Sequence, residues 1–174
     1  MGCLGAMLSD ARKRYEKLTS RDPELICAAG FHMDCDVLKL RKAAWTNDDP
    51  TKINSPTGGI FFSIWVGEEG ARSGRAKYNI HSYGHYKLKR YRIASNDFCN
   101  EFRASFKKLR KFWPHVSTEF GSQTLMEGWF EIDATTFPQD TLKLMTQFEG
   151  VAAIIDELLK KRIKVARRGG AAVA

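Results

Sequence analysis

The chain has 174 residues, 43% apolar and 28% charged, enough to close a full hydrophobic core as one domain. Its formal net charge is +8, and its four cysteines show no paired CxxC spacing, which speaks for reduced cytosolic thiols and against a disulfide scaffold or zinc ribbon. No apolar run approaches the roughly 18 residues that span a bilayer, and the start is too short for a signal-peptide core, so the expectation is a cytoplasmic protein with no membrane partner. Met1-Gly2-Cys3 begins like an acylation signal, but Ala6 stands where that signal needs Ser or Thr.

In chain order, Leu8, Ala11, Tyr15 and Leu18 recur at helical spacing and predict an amphipathic helix over 8–19. Residues 23–45 read two ways: Pro23 can open a short helix through Ala29, while Val37, Leu38 and Leu40 suit a strand. His32, Asp34 and Cys35 lie close together but match no zinc framework, and no metal is expected there. The polar, Pro- and Gly-punctuated stretch 46–59 predicts a mobile loop. Ile60, Phe62, Ile64 and Val66 alternate with Phe61, Ser63 and Trp65, giving a central strand apolar on both faces.

Turn residues over 67–74 lead to a strand from Ala76 to Ser82, with Tyr78 and Ile80 buried and Lys77, Asn79 and His81 facing water. A turn at 82–85 then predicts a further strand over 86–93, which would set Lys87 and Lys89 beside Lys77 and His81. Phe98, Phe102, Phe106, Leu109 and Trp113 fall on one stripe of a helix capped by Ser95 or Asn96 and ended by Pro114. A strand from Leu125 to Asp133 places Met126, Phe130 and Ile132 inward and Glu127, Trp129 and Glu131 outward. The last helix is expected to open at the capping box Thr146–Glu149, with Asp156 and Glu157 each four residues ahead of Lys160 and Lys161. A frayed tail is expected over 165–174, where Arg167 and Arg168 carry no ordered role.

These elements add up to a single α+β domain over 1–174, an antiparallel sheet of four or five strands with helices packed on one face. Charge is polarised along it: residues 75–113 sum to +9 and residues 114–159 to −7. That polarity admits a homo-oligomer joined through the basic 75–113 and acidic 114–159 segments. The basic segment interleaves cations with aromatics, but on the 95–113 helix the aromatics form the core stripe and the cations flank it, so what it offers is a basic ridge that can hold phosphates, with nucleic acid as the leading partner. The candidate nucleic-acid-binding residues are Lys77, Lys87, Lys89, Arg90, Arg92, Arg103, Lys107, Arg110 and Lys111.

No phosphate loop, GxGxxG, GxSxG or HExxH is present, and no cofactor is implied. The alternative is an enzyme acting on a small anionic substrate, with His81 and either Glu127 or Glu131 as its acid–base pair. It requires the strands that carry them to be neighbours.

Overall fold

The apolar alternation after Gly59 builds the middle of the molecule. In the computed structural model, which describes residues 3–164, strand β3 (Phe61–Val66) is the centre of a five-stranded antiparallel sheet. Around it lie β1 (Ile26–His32), β2 (Cys35–Arg41), β4 (Arg75–His81) and β5 (Thr124–Glu131), and the strands neighbour one another in chain order. Helices α1 (Cys3–Glu16), α3 (Ser95–Phe106) and α4 (Phe137–Lys160) cover one face, while α2 (Glu68–Ser73) is a single short turn of helix between β3 and β4. The fold is α+β, one domain with one antiparallel sheet.

Alternation decides which face is covered. Leu38, Leu40, Phe62, Ile64, Tyr78, Ile80 and Phe130 point to the helices and are buried. They meet an aromatic core in which Phe62 stacks on Phe148 at 4.7 Å and Tyr78 tilts against Trp113 at 5.4 Å. Gly128 lets this packing happen, because a Cβ there would overlap the Tyr78 phenol, whose hydroxyl donates to the Pro114 carbonyl at 2.5 Å. The C-terminal half of α4 is fastened by Asp156, which accepts from Lys42 Nζ at 2.6 Å and from Trp45 Nε1 at 2.8 Å.

Several local expectations change. Residues 26–41 form a β-hairpin, with Met33 and Asp34 at φ 51° and 58° as the two turn residues. Asp22 opens it by an Asx turn onto the Glu24 amide. No strand forms over 86–93: Gly84 adopts φ 63°, a 3₁₀ turn follows at His85–Lys87, and only Tyr91 bridges to Ile163. His85, Leu88 and Tyr91 are buried at a spacing of three, which suits successive tight turns and not a pleat. Helix α3 stops at Phe106, its start carries no side-chain cap, and Trp113 reaches the core from a separate 3₁₀ turn.

Helix α4 begins nine residues before the expected capping box, with Pro138 in its first turn. Thr146 therefore sits mid-helix and donates to the Leu142 carbonyl, while Glu149 accepts from the Tyr15 hydroxyl. Asp156 is turned to Lys42 and Trp45, so the expected pairing with Lys160 does not form. The acylation pattern at Met1-Gly2 and the tail from 165 onward lie outside the described residues.

Candidate functional site on the open face of the sheet

The face of the sheet away from the helices carries three rows of side chains that cross the strands. The register aligns Lys39, Ser63, Asn79 and Glu127 as one polar row over β2 to β5. On one side Val37, Trp65, Lys77 and Trp129 form a second row, and on the other Phe61, His81 and Thr124 form a third. At about 4.8 Å per strand, the polar row runs about 14 Å from Lys39 to Glu127.

Sequence alternation predicts the β4 and β5 part of this face to be wet. Instead Asn79 is 1% exposed, Ser63 3% and Lys39 6%. The segment 46–59 folds back over the β1 and β2 side of this face and covers Lys39, while Ser63 and Asn79 are engaged with each other and with His81. Arg41, itself buried, is the fastening: its Nε donates to the Pro50 carbonyl at 2.9 Å, and its other nitrogens reach the Asp49 and Lys52 carbonyls and the Ser55 hydroxyl. Ile53 from the same segment lies 3.1 Å from where a Cβ on Gly30 would stand, so the bare backbone of β1 at that point lets the segment pack closely.

What remains is a cavity of about 670 Å³ under this strap, lined chiefly by His32, Val37, Lys39, Phe61, Trp65, His81 and Tyr83. That volume suits a small organic ligand, and the walls are mainly apolar with a few convergent polar groups. Lys39 is the cation inside it. Its Nζ donates to the Ile53 carbonyl at 2.7 Å and lies 4.4 Å from the centroid of the Phe61 ring. No carboxylate pairs with it among the described residues, and burial together with the nearby Arg41 charge pulls its pKa down to about 8.

A hydrogen-bonded chain runs away from Lys39 through the polar row. Ser63 Oγ donates to Asn79 Oδ1 at 2.6 Å, and Asn79 Nδ2 donates to His81 Nε2 at 3.0 Å. His81 Nδ1 then faces the Gln123 carbonyl and the Thr124 hydroxyl, each at 3.3 Å. A carbonyl only accepts, so the proton sits on Nδ1 and Nε2 is the acceptor. Burial holds the His81 pKa below its ordinary value, in keeping with a neutral ring whose two nitrogens are both engaged.

The strands carrying the proposed acid–base residues are neighbours. Glu127 stands opposite Asn79, one pleat from His81 on the same face, and its charge acts on the imidazole. Glu131 pairs with Arg75 at the far end of β4, about 20 Å from His81 at 3.3 Å per residue. The candidate nucleic-acid residues separate into three places. Lys77 is on the open face, 5.1 Å from the Trp65 ring centroid. Lys87, Lys89, Arg90 and Arg92 belong to the exposed segment after β4, which is bonded to the end of α4 through Arg92–Arg162 and Lys164–Arg90 backbone contacts. Lys107, Arg110 and Lys111 lie past the other end of α3, a helix of about 18 Å. Arg103 is committed to the fold: its Nη2 donates to the carbonyls of Phe120, Gly121 and Thr124, which shapes the loop into β5.

Strand alternation by itself does not single out Lys39, Ser63 and Asn79. Their signal is a polar side chain at the same parity in three apolar strands, visible once the strands are paired. A scan of protein-family models and searches of curated proteins and of solved structures gave no match to this chain.

Proposed function

We propose that this protein binds a small ligand with a flat or apolar body and one electron-rich oxygen group, carboxylate or carbonyl, in the cavity under the 46–59 strap. The observation that carries the reading is the buried Lys39 amine, which has a single carbonyl partner and an aromatic wall. An uncompensated cation in an apolar cavity costs stability, and a ligand oxygen offsets that cost. Phe61, Trp65 and Tyr83 supply the surface for the rest of the ligand. Titration with benzoate, followed by Trp65 fluorescence and by thermal shift, tests it: saturable binding that is weakened at least tenfold by Lys39→Gln is expected. Binding that is absent, or indifferent to this substitution, would sink the reading.

A second reading, contact with nucleic acid, is favoured by one feature of a different surface. Tyr86 is 55% exposed, with Lys87 Nζ 5.6 Å from its ring centroid and Lys89, Arg90, Arg92 and Lys164 on the same segment or bonded to it, a mixture of ring and cations. Replacing Lys87, Lys89, Arg90 and Arg92 by Gln is expected to flatten the log–log salt dependence of oligonucleotide binding by about 0.7 to 0.9 for each phosphate no longer neutralised. The same change at Lys107, Arg110 and Lys111 is expected to do less. Equal effects of the two sets, or no binding at low salt, would remove this reading.

A further inference from the structure

We propose that Lys39 is a nucleophile, and that the ligand group it takes is an aldehyde or ketone held as an imine. This rests on the ligand-site reading above and narrows it from any oxygen group to a carbonyl.

Three observations meet at the amine. The Lys39 side chain is almost fully buried yet lines the cavity, so a small molecule bound there stands beside its amine. Its one hydrogen-bond partner among the described residues, the Ile53 carbonyl at 2.7 Å, is an acceptor, which uses one N–H and leaves the other positions on the nitrogen without a protein partner there. Arg41, next along the same face, adds positive charge beside Lys39; Asp48 and Asp49 act on Arg41, but among the described residues no carboxylate pairs with Lys39. A lysine so placed shifts toward the neutral amine, the form with a lone pair to give. With a pKa of about 8, about a tenth of Lys39 is neutral at pH 7, against well under one part in a thousand of an ordinary lysine, an advantage of roughly two orders of magnitude.

The reaction balances without a co-reactant. The Lys39 lone pair forms a bond to the carbonyl carbon, the π pair moves to oxygen, and the nitrogen proton passes to that oxygen to give a carbinolamine. The second nitrogen proton leaves with the hydroxyl as water, and the C=N bond forms. An apolar cavity favours this loss of water. The Phe61 ring, 4.4 Å from the amine, provides a face for an aryl substituent.

The test uses the full chain at pH 7 with benzaldehyde, followed by borohydride, digestion and mass spectrometry of every lysine. Trapped benzyl adduct at Lys39 is expected at least tenfold above that at exposed lysines such as Lys13 and Lys17, and excess benzoate is expected to suppress it. Lys39→Arg, with folding checked by circular dichroism, should remove the preferred adduct; the mapping on the unaltered protein stands even if that variant does not fold. Adducts spread over exposed lysines with Lys39 spared, while benzoate still binds, would overturn the imine and leave the ligand site. Absence of both adduct and benzoate binding would overturn the two together.

Discussion

Replacing Lys39 by Met is expected to stabilise the protein at neutral pH while abolishing binding at the open face. Lys39 has an ordinary pKa of 10.5 and a folded value of about 8. That gap of about 2.5 units corresponds to roughly 3 kcal/mol spent on keeping the group charged in the folded chain below pH 8. Methionine keeps the length and the contact with Phe61 but carries no charge. It forfeits the charge-assisted bond to the Ile53 carbonyl, worth about 1.5 to 3 kcal/mol. The charge effect is at least as large, so a net gain of up to about 1.5 kcal/mol is expected at pH 7.

The pH dependence gives the sharper check. Between the folded and ordinary values the unfolded chain holds the Lys39 proton and the folded chain has released it, so the unaltered protein gains stability as pH rises from about 8 to 10.5. The advantage of the variant therefore shrinks over that window. Tyr15 and Tyr78, whose hydroxyls burial holds above their ordinary pKa, act in the opposite sense at high pH, but they are present in both proteins and cancel in the difference. Urea unfolding of the pair at pH 7, 8, 9 and 9.5 measures it. A variant that is less stable by more than about 1 kcal/mol at pH 7, or a difference that stays flat to pH 9.5, would refute the assignment of Lys39 as an uncompensated buried cation. A gain in stability joined to a loss of binding is the signature of a residue kept for its site.

Phe102→Ala and Phe106→Ala each remove a fully buried ring from a stacked pair 5.7 Å apart, and each is expected to cost about 3 to 5 kcal/mol in denaturant unfolding; a melting temperature within a degree or two of the parent would show that α3 does not face the core. Burial lowers the pKa of both His81 and His85, so the unfolded chain takes up protons first as pH falls below about 6.5, and stability should decline from there at up to 1.4 kcal/mol per unit for each ring. The double variant His81→Asn, His85→Asn should flatten the slope between pH 6.5 and 5, and an unchanged slope would contradict the buried neutral rings. Gly128→Ala forces a Cβ onto the Tyr78 phenol and to within 2.9 Å of the Pro114 carbonyl, so a loss of about 1 to 3 kcal/mol is expected, visible as a lower urea midpoint; an unperturbed midpoint would mean that the β5 backbone yields freely there.

How much of the site is legible in advance follows from how local each contribution is. Alternation is local, so the inward faces of β3, β4 and β5 are legible from Phe62, Tyr78 and Phe130, and the expected α+β sheet with helices on one face is the one found. Helix ends are less so: the Thr146–Glu149 capping box is a true pattern, but an apolar period already running through Phe137, Leu144 and Met145 continues the helix past it. Neither rule can bury a lysine. Lys39 and Asn79 look solvated in their own strands, and Lys39 is covered by a segment that Arg41 holds through carbonyls 8 to 11 residues further along. The hydrogen bonds of Arg41 thus hold the segment whose Ile53 carbonyl meets the Lys39 amine, and the reactivity proposed for Lys39 depends on a contact made by its neighbour but one.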